Sequence, residues 1–362
     1  MLKIIYSAGL RENDRDTYND DSFKKMSTSD YEFVLFDHRK HLGRIIENAW
    51  VLDDLYRSRD EKLFRTYDEL KRLIDSIKAD VLLVSGDNIY HPEFINKLDV
   101  YSVLMSSDDP NSSYARTVPY IWAFDHITCV NVQYHKDIPV KMTDKLIEWG
   151  GRRATWIPYG VVERHYNPDL TEEEIYNKER TIDLLYIGAF YREKVDALLK
   201  LKKIFGNKFK LYGPWGLKFW GYYLLQRKWI WVNFLSPNLF VHTYQNAKIG
   251  INMHLSGELG NGRLYQLPMN GVMQICDCKD ALSEVFEPGK EIVGYNTIDE
   301  AIELIEYYLE HDEERKKIAA AGFRKAIKNY KYSDILYNML REVKKGMMLD
   351  GINYTKDGMA LN

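Results

Sequence analysis

The sequence has little of what would mark a secreted, membrane-spanning or nucleic-acid-binding chain. Only three cysteines occur among 362 residues, Cys129, Cys276 and Cys278. Their number is odd and the last two are one residue apart, which matches neither a disulfide framework nor the usual zinc spacing. Reduced thiols in a cytosol fit that pattern. No apolar run approaches the roughly 20 residues a spanning helix needs. The opening MLKIIYSAGLRENDRD passes straight from a short apolar strand into charge, without the apolar core and small-residue cleavage site of a signal peptide. A cytoplasmic protein is expected, with peripheral contact at the inner membrane face as its one membrane option. Neither sign of charge dominates: 50 Lys+Arg against 53 Asp+Glu leave a net charge of −3. That gives no overall pull toward nucleic acid or an anionic surface, so any basic site must be local. The nine histidines form no ligand-spaced cluster, and no Asp-x-Asp stands at a strand end. No metal and no resident cofactor are expected.

What is present describes a folded α/β protein. Hydrophobic residues make up 45% and charged residues 28%, and the length exceeds the roughly 250–300 residues at which a single core stops growing, so two domains are expected. Short apolar runs recur: LKIIYS, YEFVLF, DVLLVS, YSVLM, ITCVNV and ATWIPYG. Most lack alternation, as strands buried on both faces of a parallel sheet should. Between them lie charged, periodic segments such as RDEKLFRTYDELKRLIDSIK, with Leu63, Tyr67, Leu70 and Ile74 at helical spacing. After a polar connection the alternation restarts with TIDLLYIGAFYREKVDALLKLKKIF, the opening of a second Rossmann-like unit. Thr297-x-x-Glu300 marks a helix start, with Ala301, Ile302, Ile305 and Leu309 on one face. The expected organisation is an N-terminal Rossmann-like domain over 1–165, a second over 175–332, and a segment 333–362 whose helix returns to the first.

Two stretches carry candidate chemistry. YIGAFYREK places Gly188 between strand and helix, followed by Arg192 and Lys194. A glycine lets backbone approach an anion at a helix start, and two cations can neutralise a diphosphate. An ordinary turn with solvated charges reads the same way. GELGNGRLYQLPMNGVMQICD gathers Glu258, Asn261, Gly262, Arg263 and Gln266 just before a buried strand, and Arg263 there can bind phosphate oxygens bidentately. The bland alternative is a surface loop.

The span NGRLYQLPMNGVMQICD, followed by LSEVFEPGKEIVGYNTIDEAIELIEYYLEHDEERKKIAAAGFRKAIKNYKY, resembles the glycosyltransferase group 1 domain of the CgeB-like (spore-maturation) family, in which Asn-x-Arg-x-Phe-Glu precedes a Gly and a strand. Asp108-Asp109-Pro110 and the WIPYG run, Trp156 to Gly160, match that family's first half. The resemblance runs from about Tyr101 to Tyr332 and is strongest from Asn261 onward. It implies an α/β protein of GT-B fold, two Rossmann-like domains with parallel sheets facing across a cleft, transferring a sugar from a UDP- or GDP-linked donor to a glycan, lipid-linked or protein hydroxyl without a metal. A cell-surface or spore-coat glycan would be its product. Gly188, Arg192, Lys194, Tyr212, Asn261, Gly262, Arg263 and Gln266 would hold the donor. Glu258 and Gln266 stand at the separation of the two glutamates of retaining relatives, but the second carboxylate is here an amide, which leaves stereochemistry open.

A base for an inverting reaction is sought in the first domain, where Asp108, Asp109, Asp125 and His126 are candidates, with Asp109 and His126 foremost. WGLKFWGYYLLQRKWIWVNF holds four of the eight tryptophans, and residues 215–234 read either as core or as an interfacial element that presents Trp and Lys to a lipid-linked acceptor. A non-catalytic nucleotide-sugar or glycan binder is the rival reading. A phage-type DNA glycosyltransferase is a third, disfavoured by the acidic balance.

Overall fold

The computed structural model describes all residues except 12–18, 87, 136–137, 214–231, 255–258, 278–279, 352, 355–359 and 362. The chain divides into two compact units, one of Met1–Tyr134, Ile138–Ile157 and Leu336–Asn362, the other of His135–Asp137 and Pro158–Ile335.

In the first unit β1 (Leu2–Ala8), β2 (Tyr31–Asp37), β3 (Val81–Val84), β4 (Tyr101–Ser106), β5 (His126–Cys129) and β8 (Ala154–Trp156) form one sheet in the order β2-β1-β3-β4-β5-β8. Every pairing is parallel, and β3 is buried throughout, as its unalternating VLLV requires. β6 (Gln133–His135) and β7 (Ile138–Lys141) form a separate two-stranded ribbon. The helices between strands include α1 (Asp20–Met26), α2 (His38–Leu42), α3 (Ala49–Arg57), α4 (Glu61–Ile77), α5 (Pro92–Ile95) and α6 (Met142–Glu148). The stripe Leu63, Tyr67, Leu70 and Ile74 of α4 is buried, and Asp60 caps it by accepting from the Leu63 amide at 2.9 Å.

The second unit repeats the architecture. β9 (Ile182–Ile187), β10 (Phe209–Tyr212), β11 (Ala247–Asn252), β12 (Met273–Cys276) and β13 (Val293–Gly294) lie in the order β10-β9-β11-β12-β13, again all parallel. Around them run α7 (Glu172–Asn177), α8 (Arg192–Phe205), α9 (Phe240–Gln245), α10 (Arg263–Met269), α11 (Ile298–Glu310) and α12 (Asp312–Asn329). Ala301, Ile302 and Ile305 of α11 are buried in the core. The Thr297 side chain accepts from the Glu300 amide at 3.2 Å, while the Glu300 carboxylate reaches the amide of Asn296 and not that of Thr297.

The unit boundary falls between Ile157 and Pro158, earlier than the expected end at 165. Val161 already pairs with Lys331, and the His165 carbonyl accepts from Asn270 at 2.8 Å. α13 (Tyr332–Leu349) begins in the second unit, and from Leu336 it is counted with the first. Within the first unit Tyr337 donates to the Met26 carbonyl, and Arg153 forms an ion pair with Asp350.

Candidate functional site

In an open parallel sheet, ligands collect at the carboxyl ends of the strands where the strand order reverses. In the second unit that point lies between β9 and β11. Gly188 follows β9, His254 follows β11, and Arg263 opens the helix after it. Gly188 donates to the Tyr212 carbonyl at 2.9 Å, so the last residue of β10 fixes the turn through its backbone.

Arg263 is the centre of the arrangement. Its guanidinium carbon lies 4.3 Å from the centroid of the Tyr186 ring, a cation–π geometry. The Tyr186 hydroxyl is tied to the Ala189 carbonyl at 3.1 Å. A Cβ at Gly188 would stand 2.5 Å from Arg263 Nη2, so only glycine admits the guanidinium there. Nε and Nη1 of Arg263 are buried and have no hydrogen-bond partner among the described residues. A buried charged donor left in this state is costly unless a ligand completes it.

Lys194, on the first turn of α8, is 7% exposed. Burial pushes its ammonium down to about 7, the neighbouring Arg263 adds to the fall, and Asp277 opposes it. Asp277, against the push of its own burial, is held below the ordinary carboxylate range by His254 and Lys194. It accepts from the His254 amide at 2.7 Å and pairs with His254 Nδ1 at 2.6 Å. Two cations and one committed carboxylate therefore surround the turn. The arrangement suits a group carrying more than one negative charge.

The remaining expected donor residues sit close to this point in different roles. Asn261 and Asn252 exchange amide hydrogen bonds at 3.0 and 3.2 Å, and Asn261 Oδ1 also accepts from the Leu264 amide. The Asn261 side chain thus holds the loop, which differs from the expected phosphate contact. Gly262 packs against the Tyr159 ring. Gln266 accepts from the Tyr244 hydroxyl and meets His165 Nδ1, both at 3.3 Å. Arg192 begins α8. Glu258, and residues 215–231 of the aromatic stretch, lie outside the described residues.

The two foremost base candidates stand elsewhere. His126 opens β5, so it lies at the amino edge of its sheet, opposite the ligand-collecting edge. Its Nε2 pairs with Thr155 Oγ1 at 2.7 Å, and burial, with Arg153, pushes the imidazole down to about 4. Asp125 there ties the start of β4 through Ser102. Asp109 does follow β4, but it is 1% exposed and its carboxylate accepts from Ser106, Ser113 and Thr117. These bonds tie the end of β4 to the turn that carries Ser113 and Thr117. Sequence reasoning missed Tyr186, His254 and Asp277, although each is a polar group at or just past a strand's carboxyl end, and that position is a usable signal. Among the described residues, one set of metal-type ligands is close together, His254, Cys276 and Asp277, with ligand atoms within 4.8 Å. The hydrogen bonds above already engage its carboxylate.

Residues 192–341 match the family described as glycosyl transferase-like. Over 207 residues the chain is 25% identical to the spore protein CgeB of Bacillus subtilis, a match that spans 52% of this chain and 61% of that protein. Sucrose-phosphate synthase from Thermosynechococcus elongatus superposes with a TM-score of 0.62 at 11% identity, over 96% of this chain and 100% of that one. Anabaena HepE, solved in complex with UDP-glucose, gives 0.57 at 11% identity, over 95% and 100%. Among the described residues no helix is long and apolar enough to cross a membrane. The fold is therefore GT-B, and residues 192–341 are similar to a glycosyl transferase-like domain.

Proposed function

We propose that the protein transfers a sugar from a UDP- or GDP-linked donor to a hydroxyl acceptor, with the donor diphosphate seated between Gly188, Lys194 and Arg263. The observation that carries this reading is the pair of buried nitrogens on Arg263 without a partner among the described residues, on a guanidinium held over Tyr186 and packed against Gly188. HepE, of the same fold, was solved with UDP-glucose, and the likeness to a spore protein supports a spore or cell-surface glycan as the product.

In the reaction the acceptor oxygen bonds to the anomeric carbon as the bond to the diphosphate breaks, and the acceptor proton leaves to a base. Negative charge grows on the departing phosphate. A guanidinium already in place stabilises that charge more than it stabilises the donor, so its contribution appears in turnover. Lys194 supplies a second positive charge once the diphosphate raises its proton affinity. These cations take the part a metal plays in other transferases, and activity in excess EDTA is the expected result.

The test is thermal denaturation with UDP, GDP and their sugars, with and without EDTA, followed by assay of sugar release from the stabilising donor. A nucleotide at 100 times its dissociation constant should stabilise by about 2.7 kcal/mol. Stabilisation without transfer or slow donor hydrolysis would favour a nucleotide-sugar binder, and no stabilisation by any nucleotide would overturn both readings.

A further inference from the structure

The sheet of the first unit also reverses its strand order, between β1 and β3, and a recess opens at that carboxyl edge. Ile46, Asn48, Gly86, Asn88, Arg116 and Tyr120 line it. They come from the loops that follow β2, β3 and β4.

Arg116 sits on a π-helical turn, Ser113–Thr117, a rare conformation that is frequent at functional sites. Asp109 holds that turn, because Ser113 and Thr117 both donate to one of its carboxylate oxygens. Its other oxygen takes the hydroxyl of Ser106, the last residue of β4. The Asp-Asp-Pro motif therefore works as an anchor for the turn that carries Arg116. The guanidinium makes no hydrogen bond or ion pair among the described residues. The carboxylate that bears with it on Tyr120 is that of Asp53, which is taken by Arg57 at 3.0 Å and by His91 at 3.5 Å.

The segments that build this recess also carry exposed apolar side chains. Trp50 is 82% exposed, Ile45 56%, Val51 41% and Tyr114 69%. Trp50 and Val51 lie on the first turns of α3, which packs against the π-helical turn. Aromatic rings alone would suit sugar stacking. Ile45 and Val51 are aliphatic and match hydrocarbon instead, and a tryptophan beside them is the side chain that sits at a lipid headgroup boundary.

We infer that this recess takes the phosphate of a lipid-linked acceptor, with Arg116 on the phosphate and Trp50, Ile45 and Val51 against the acyl or prenyl chain. The inference rests on the transferase reading above, since it names the substrate that would present the hydroxyl. The membrane contact would then run through the first unit.

The probe is cosedimentation with vesicles of phosphatidylcholine alone, and of phosphatidylcholine mixed with phosphatidic acid. Wild-type protein should prefer the mixed vesicles, and Arg116→Gln should lose about fivefold of that preference, the effect of one cation at an anionic surface. Trp50→Ala, at an exposed position, should weaken binding to both compositions. Glycerol phosphate in solution should compete only weakly. An absence of vesicle binding, a preference unchanged in Arg116→Gln, or full competition by glycerol phosphate would overturn the inference. Stabilisation by UDP, measured on the same variants, reports separately on folding and on the donor site. A failure there strikes the transferase reading, while a failure in the vesicle assay strikes only this one.

Discussion

Asp109 and Arg263 both lie in the segment that follows a strand of a parallel sheet, Asp109 in the turn after β4 and Arg263 at the start of the helix after β11, and their surroundings are opposite. Asp109 is a nearly inaccessible carboxylate whose oxygens accept from three hydroxyls. Arg263 is a half-buried guanidinium with two buried nitrogens that donate to nothing among the described residues. A charged group whose hydrogen bonds are complete has a structural task already. One that is left incomplete inside a fold carries a desolvation cost that a ligand can remove. The proposed chemistry therefore rests on the second site, and the first is read as scaffold.

The sharpest break of that comparison is expected at Arg263. Arg263→Ala should lower turnover by about 10²–10³, the usual loss on removing one preorganised donor to developing charge. Arg263→Lys should recover only part, because a point charge lacks the fork geometry. Steady-state kinetics with the identified donor decide it, and turnover at the wild-type level in Arg263→Ala would remove the catalytic assignment.

Asp109 should behave in the opposite sense. Asp109→Ala leaves the Ser106, Ser113 and Thr117 hydroxyls without their shared acceptor, and stability should fall by about 2–3 kcal/mol. Stabilisation by UDP should persist in the molecules that remain folded. Urea unfolding and the nucleotide-induced shift measure the two halves of this claim. A base role would instead show as a stable protein that binds donor and does not turn over.

The two residues also differ in how far the sequence revealed them. Unalternating runs such as VLLV, and the stripe Leu63, Tyr67, Leu70 and Ile74, are visible because burial acts on every residue of an element at once. Arg263 was legible because Asn261, Gly262 and Gln266 surround it in a pattern that resembles a family motif. His126 is hard to place from sequence for a geometric reason. A polar residue beside a short apolar run looks the same whether it opens or ends the strand, and here it opens β5. Asp109 follows β4, but the hydrogen bonds its carboxylate accepts depend on Ser113 and Thr117 folding back over it. The boundary at Pro158 was hidden for a similar reason, since the partners of Val161 and His165 lie far along the chain.

A smaller effect is expected from Lys194, and its sign follows from its neighbours. Burial, with Arg263, holds the free ammonium at about 7. A bound diphosphate raises that value, so binding takes up a proton whenever the free lysine is neutral. Donor affinity should therefore be full below pH 7 and weaken as pH rises through it, by about tenfold between pH 6 and pH 8 at the single-proton limit. Lys194→Met should flatten the profile. Calorimetry in buffers of different ionisation enthalpy counts the proton directly, and an uptake of zero at pH 8 would remove Lys194 from the diphosphate site.

The smallest effect is expected at Gln266, which falls between the two extremes of the comparison. Its amide is engaged at both ends, by the Tyr244 hydroxyl and by His165 Nδ1, but each contact is long at 3.3 Å. Such bonds are readily exchanged for a better one, so the amide can turn toward a donor hydroxyl without leaving a buried group orphaned. A ribose contact of this kind changes little as the glycosidic bond breaks, so its removal should act on binding and spare the chemical step. Gln266→Ala should thus raise the donor dissociation constant by about two- to tenfold, the range of one ordinary hydrogen bond, with turnover nearly unchanged. Gln266→Glu sharpens the test by restoring the carboxylate of the retaining relatives. If the amide reads ribose, the charged acceptor should bind the donor at least as well as glutamine does. Weaker binding in Gln266→Glu, with Gln266→Ala indistinguishable from wild type, would show that Gln266 serves only to tie α10 to His165 and Tyr244.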